Sequence, residues 1–205
     1  MKKIIAAIAG IVVLSGAGYG LWLVLDSTAA VATVGNHKVS ASDVTGSVNA
    51  ILAERKVVST TGMQLASGKE LELAEVNFHV ISYLLADIAA ANHVTVTDAQ
   101  VTARRAEIVK KVGTEAKMPQ ALASANIAKK DFPLYLKTLL YDEGLAAQLE
   151  KTGTSQATVG AALQAMVTAQ ANKIGVKVNA KYGKWDATQA AVISNTATAA
   201  PAATK

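Results

Sequence analysis

Three histidines, His37, His79 and His93, are the side chains of this 205-residue sequence best suited to proton chemistry, and no cysteine accompanies them. The lack of cysteine removes thiolate nucleophiles, thiolate metal sites and disulfides, and it leaves the redox compartment unreadable. None of the histidines has a second metal-ligand partner at helical or loop spacing, so no metal site is expected. His79 stands one helical turn from both Glu75 and Tyr83. One reading makes it a proton-transfer group. The other makes it a surface or boundary histidine touching a helix neighbour, and the lack of an accompanying nucleophile or second base favours that one. No convincing "SxxK" or "GxSxG" nucleophile pattern, carboxylate pair in an apolar setting, P-loop or dinucleotide turn is present. The sequence therefore nominates no catalytic, cofactor-binding or metal-binding residue, no cofactor and no enzyme.

Other side chains suit contact rather than catalysis. Met63, Met118 and Met166 could line an adaptable surface, although Met166 falls on an apolar helical stripe where core packing is the simpler role. Tyr182 and Trp185 are either contacts for a partner or, more simply, a cover for a sheet or helix end. Asn179 and Gly183 suit a turn. Peptide-binding residues stay unassigned, because a groove is a property of helices after they pack.

The elements that position these residues follow from patterning. An apolar fraction of 51% with only 4% aromatics favours helices packed closely through small side chains. Lys2 and Lys3 precede a run from Ile4 to Leu25 without a charge, which matches the roughly 20 residues that cross a hydrocarbon core and leaves the lysines cytoplasmic. A cleaved signal peptide is the alternative, with Ser15-Gly16-Ala17 as its small-residue site. Cleavage there leaves an exposed "GYGLWLVL", so the uncleaved anchor is preferred. "LSGA" has the look of a lipoprotein signal with Ala17 where the acylated cysteine would stand. Either way the body is exported.

"VATVGNHKVS" reads as a hairpin, Val31 to Val34 and His37 to Val39 around Gly35-Asn36. Ser40 and Asp43 form a capping box for a first helix with Val44, Val48, Ile51 and Leu52 on one face. A long helix is expected from about Glu70 to Ala91, striped by Leu73, Val76, Val80, Leu84 and Ile88. Thr97 and Gln100 cap a third helix, lined by Val101, Ile108, Val109 and Val112 and closed by Gly113. Pro119 opens a short helix ending near Asn126. The next helix, through Leu149, carries apolar residues on more than one face and is read as the central one. The last has Val159, Leu163, Met166, Val167 and Ile174 on its stripe, with Gly175 to end it. "VKVNAKYGKW" then reads as a strand, and the economical way to satisfy its backbone is to join the N-terminal hairpin.

The expected architecture is thus mainly α: five to six helices closed by a small antiparallel sheet that joins the hairpin to the C-terminal strand, after an N-terminal transmembrane or signal helix. Residues 1–26 are the anchor or signal segment, 27–186 the body, and 187–205 an Ala/Thr-rich disordered tail. The formal charge of +5 is uneven. Residues 26–150 hold 12 Lys and Arg against 14 Asp and Glu, whereas residues 151–205 hold 6 Lys against Asp186 alone. Lys151, Lys173, Lys177, Lys181, Lys184 and Lys205 lack clustered Arg and interleaved aromatics, so they read as solvation and not as a nucleic-acid surface.

Four phrases in order carry a resemblance: "VATVGNHKVSASDV", "NHVTVTDAQV", "MPQALASANIAKKDFPLYLKTLLYDEGLA" and "VKVNAKYGKWD". Together they resemble the N-terminal chaperone domain of SurA- and PrsA-type exported foldases, a domain likened to part of trigger factor, over about Val31 to Asp186. The resemblance implies a hairpin leading into a capped helix, a long central helix and a closing strand. It also implies a chaperone or holdase-like protein, which the segment 4–25, read above as an anchor, would tether to a bacterial cell membrane with an extracytoplasmic body, or leave secreted if the segment is cut. Its partners would be unfolded or extended polypeptide clients. Two departures matter. Pro133 lies one turn into the helix that the family starts near the position of Ala128, which moves the expected start toward Asp131. Where the isomerase members insert a parvulin domain, this chain has only "KTGTSQATV", which removes the expectation of isomerase activity.

Overall fold

The computed structural model describes residues 30–196. The segment read as an anchor, residues 4–25, and residues 197–205 lie outside the described residues.

β1 (Ala30–Val34) and β2 (His37–Ser40) form the antiparallel hairpin, with Val34 opposite His37 and Ala32 opposite Val39. Of the two turn residues only Gly35 takes a positive φ, 55°, the conformation glycine adopts without penalty. β3 (Val176–Val178) returns antiparallel to the other edge of β1, pairing Ala32 with Val178 and Val34 with Val176. The ladder extends past both ends, through Gly35 N–H to the Gly175 carbonyl at 2.9 Å and Asn179 N–H to the Val31 carbonyl at 2.8 Å. The strand order is β2-β1-β3. The expected closure of the helical chain by its two ends is present.

Six helices lie between. α1 (Ala41–Arg55) begins at the Ser40/Asp43 capping box, with both reciprocal bonds made, and buries Val44, Val48 and Ile51. α2 (Gly68–Ala91) follows a loop. α3 (Asp98–Val112) has the Thr97/Gln100 box and stops at Gly113 with φ 111°. α4 (Met118–Ser124) places Pro119 in its first turn. A 3₁₀ turn at Lys129–Asp131 leads into α5 (Phe132–Lys151), so Pro133 also sits in a first turn, where its missing N–H has no intrahelical partner to lose. Thr152–Ser155 is the whole link to α6 (Gln156–Ile174), which Gly175 ends with φ 82°.

The central helix is α2, not α5. Leu71, Val76, Val80, Ile81, Leu84, Leu85 and Ile88 are all buried, and α2 packs against the sheet, α1, α5 and α6. Leu73, at one end of the expected stripe, is only half-buried, whereas α5 leaves Leu134 exposed. α2 is the described helix long and apolar enough to cross a membrane. Its place inside the fold accounts for that composition, since a helix enclosed by neighbours is apolar around its circumference.

Apolar side chains form two clusters. The larger joins the inner sheet face (Val31, Val34, Val39) to α1, α2, Leu145 of α5 and Leu163, Val167 and Ala171 of α6. The smaller joins Ile108 and Val112 of α3 to Met118 and Leu122 of α4 and Phe132, Tyr135 and Leu136 of α5.

The C-terminal boundary differs from the sequence reading. Residues from 187 onward read as a disordered tail, yet β4 (Lys184–Asp186) and β5 (Ala191–Ile193) form a second hairpin, with Trp185 opposite Val192. Asp186 folds its own turn by accepting the Thr188 and Gln189 amide protons at 2.8 and 3.1 Å. Val192 and Ile193 are buried, and the Val192 N–H donates to Asn77 Oδ1 of α2 at 2.8 Å. A two-residue apolar run within an Ala/Thr-rich stretch shows no periodicity, so its burial is invisible in the pattern.

Ending the chain at Asp186 should therefore destabilise the fold, and Asn77→Ala should cost about 1–3 kcal/mol by stranding a buried N–H. Gln120→Ala, which loses only an exposed bond to the Ser59 carbonyl, should stay within about 0.5 kcal/mol. Urea denaturation followed by circular dichroism measures all three. Unchanged stability of the truncated chain would restore the disordered-tail reading.

Candidate functional site

Enclosure of the middle of α2 takes four of its polar residues indoors. Glu75, Asn77, His79 and Ser82 are all buried. Asn77 serves β5. Ser82 meets α5, where Thr138 Oγ1 lies 2.9 Å from Ser82 Oγ in a buried contact. Glu75 and His79, one turn apart, belong to a cluster at the junction of α1, α2 and the 3₁₀ turn.

Three residues bind that junction. Ser47 of α1 is fully buried, and its Oγ lies 2.6 Å from Asp131 Oδ2 and 2.9 Å from the Asp43 carbonyl. A hydroxyl has one proton, so it donates to one of these at a time, and the charged carboxylate at the shorter distance is the stronger acceptor. Lys130 Nζ donates to Ser47 Oγ at 3.0 Å and to Asp131 Oδ1 at 3.3 Å. Close by, Arg55 donates to the Ala66 carbonyl at 2.6 Å and to Asn126 Oδ1. Glu54 accepts the Lys129 N–H at 3.0 Å.

Burial sets the protonation of the inner pair. It pushes the Glu75 carboxyl up to about 8, and the charge of Asp131 adds to the rise, while Lys130 and Arg55 oppose it without prevailing. His79 is lowered, chiefly by burial, against the pull of Asp131 and Asp43. Both shifts favour the neutral form near pH 7. Among the described residues no hydrogen-bond partner is present for His79 Nε2 or for Arg55 Nε. A neutral carboxylic acid and a neutral imidazole are competent for proton exchange, but Ser47 and Glu75 are almost wholly shut from solvent. The protonation of this cluster is therefore linked to folding.

The other residues singled out in the sequence stand apart. His79 is buried, not at the surface or boundary, because α2 is covered on that side as well. His37 stacks on Tyr83 with ring centroids 4.6 Å apart, and its Nε2 lies 3.1 Å from Asp87. His93 closes α2 with φ 56° and is exposed. Among the described residues no group of His, Asp and Glu is placed to hold a metal. Met118 is buried in the smaller core, Met166 packs against the larger one, and Met63 lies half-buried in the α1–α2 loop. Tyr182 is buried with Lys69 Nζ 5.0 Å from its ring centroid, and Trp185 packs on the larger core, so both cover the fold. Asn179 makes the expected turn, its Oδ1 accepting the Lys181 N–H at 3.0 Å. Gly183 has φ 147°, and a Cβ there would come within 2.6 Å of the Ile193 carbonyl oxygen.

Ser47, Glu75, Arg55, Lys130 and Asp131 were not legible as a group. One signal was present: Glu75 and His79, one turn apart, share a face of a long helix otherwise rich in apolar residues. No protein-family model matches the sequence, and neither curated proteins nor solved structures give a match.

The two neutral groups bend stability with pH in opposite directions. Glu75, raised when folded, holds its full contribution below the unfolded value near 4.5 and loses it as pH rises toward 8. His79, lowered when folded, loses its contribution as pH falls below the unfolded value near 6.5. Above about pH 7, where His79 is largely neutral folded or unfolded, Glu75 dominates this pair, and stability should fall by up to about 1.4 kcal/mol per pH unit, the slope fading as pH reaches 8. Glu75→Gln should flatten that fall in chemical denaturation series at several pH values. A slope that survives the substitution would place its origin elsewhere.

Proposed function

We propose that the protein is an extracytoplasmic chaperone of the holdase type, tethered by residues 4–25, that binds unfolded or extended exported polypeptides without prolyl isomerase activity and without a cofactor. The observation that carries this reading is the return of β3 to β1 across the whole helical span, with only Thr152–Ser155 between α5 and α6. That topology agrees with what the SurA-type resemblance implies, and the link has no length for a catalytic insert. Among the described residues the outer edges of β2 and β3 each lack a strand neighbour in the β2-β1-β3 order. An extended client can pair its main chain there. Tethering raises the local concentration of the body where clients emerge.

A second reading is a cell-surface structural or assembly protein that binds one folded partner. It is favoured by the sparse apolar surface: among the described residues the exposed large hydrophobics are Val57, 81% exposed, and Leu134, 38% exposed. Isolated apolar residues of this kind make a poor wide groove.

The full chain in lipid nanodiscs, added in stoichiometric excess to an unfolded exported protein, should suppress its light scattering, whereas empty nanodiscs should not. Failure to suppress, together with capture of one folded partner in fixed ratio, would favour the second reading. Prolyl isomerisation well above a buffer blank would overturn the non-enzymatic part of the first.

A further inference from the structure

We infer that the outer face of the β2-β1-β3 sheet, carrying Lys177 of β3 and bordered by Lys181 of the turn at its end, docks on anionic lipid headgroups. The inference rests on the reading of residues 4–25 as a membrane anchor. In sequence, the lysines beyond residue 150 look scattered and merely solvating. The register of the sheet changes that.

Thr33 of β1 is opposite Lys38 of β2 on one side and Lys177 of β3 on the other. Residues directly opposite in antiparallel strands project from the same face. Ala32, Val34 and Val39, in the alternate rows, are buried, so the Lys38-Thr33-Lys177 row is on the outer face, and both lysines are exposed. Asn179 pairs with Val31, which puts the following turn, with exposed Lys181, at the end of the sheet where β1 begins. Lys38 widens the row but has other contacts, so Lys177 and Lys181 carry the argument. The one acidic residue after position 150, Asp186, directs its carboxylate into its own turn.

Chain length fixes which surface this face meets. Five residues lead from Leu25 to Ala30, a reach of at most about 17 Å. Thr33 lies only about 10 Å further along the strand. A sheet so tied stays within about 27 Å of the hydrocarbon boundary, so headgroup level is within its reach, and each lysine near an anionic leaflet favours the docked state roughly fivefold. The surface and its position therefore match in charge and in distance.

The sequence has no cysteine, so Thr33→Cys gives a single labelling site on that face, directly opposite Lys177. The full chain carrying a fluorophore at that site would be reconstituted into vesicles of phosphatidylcholine alone or with about a third phosphatidylglycerol, and quenching by a headgroup-attached quencher measured. Strong quenching is expected in the anionic vesicles only, with loss near 1 M salt, where the screening length shrinks to about 3 Å. Lys177→Glu with Lys181→Glu should lower the docked-to-free ratio by at least about 25-fold. Lys110→Glu with Lys111→Glu on α3, an equal change in net charge, should leave it unchanged, and circular dichroism checks that both variants fold. Carbonate extraction separates the two premises. A chain that resists extraction yet shows equal quenching in both lipids overturns the docking face while keeping the anchor. A chain that is extracted yet floats only with anionic vesicles, and needs Lys177 and Lys181 to do so, overturns the anchor and keeps the face. Extraction without flotation overturns both. Displacement of the label's signal by polyglutamate with no response to vesicles would assign the face to an acidic protein and overturn the lipid proposal.

Discussion

β1 is hydrogen-bonded along both edges by segments that lie well over a hundred residues apart in the chain. β2 arrives after a two-residue turn at almost no entropic cost, whereas β3 arrives only after six helices. Loop-closure entropy grows only with the logarithm of length, so the long route remains affordable once the helices between have packed. The consequence is a body whose ends are mutually dependent. Val34 and Val39 reach the larger core only if the sheet is formed, and β3 has a place only if α6 is seated against α2.

The same closure explains the polar interior. A short sheet with α1, α5, α6 and the β4–β5 hairpin packed on α2 encloses the middle of that helix, while Lys69, Glu70, Glu72 and Asp87 keep access to solvent. The polar residues that are buried are each placed at a contact. Asn77 holds the C-terminal hairpin, Ser82 meets Thr138 of α5, and Glu75 and His79 sit under the Ser47–Lys130–Asp131 cluster. Buried hydrogen bonds contribute modest net stability but penalise misalignment heavily, because a stranded partner cannot recruit water. They fix how far each neighbour slides along α2.

The parts of this architecture governed by local chemistry were readable in the sequence. Ser40 with Asp43 and Thr97 with Gln100 are capping boxes whose two bonds need only four adjacent residues, and both form. Gly113 and Gly175 end helices because positive φ suits glycine. Even the sheet closure was legible, since an isolated strand at Val176 demanded a partner and the hairpin was the available one. Three things were not. The Ala191–Ile193 strand depends on Asn77, over a hundred residues away. The burial of His79 depends on α1 and the 3₁₀ turn covering α2 from a side its own stripe does not reveal. The choice of α2 over α5 as the central helix depends on which neighbours arrive, and both helices carry apolar residues on several faces.

The two apolar clusters are joined in two chemically different ways. α5 runs through both, with Leu145 in the larger and Phe132, Tyr135 and Leu136 in the smaller, and Phe78 of α2 packs against the smaller one. That joint is apolar and tolerant of small shifts, since dispersion contacts have no strong directional demand. The joint between α1 and the 124–131 segment is instead polar throughout its named contacts: Arg55 with Asn126, Glu54 with the Lys129 N–H, and Ser47 with Lys130 and Asp131. Directional bonds at that edge restrict the angle at which the smaller cluster sits on the larger, while the apolar joint supplies the cohesion. Glu75 and His79 lie where the charges of Lys130 and Asp131 reach both, and His79 also meets the apolar joint, its ring centroid 5.2 Å from that of Phe78. Their protonation therefore bears on both joints at once.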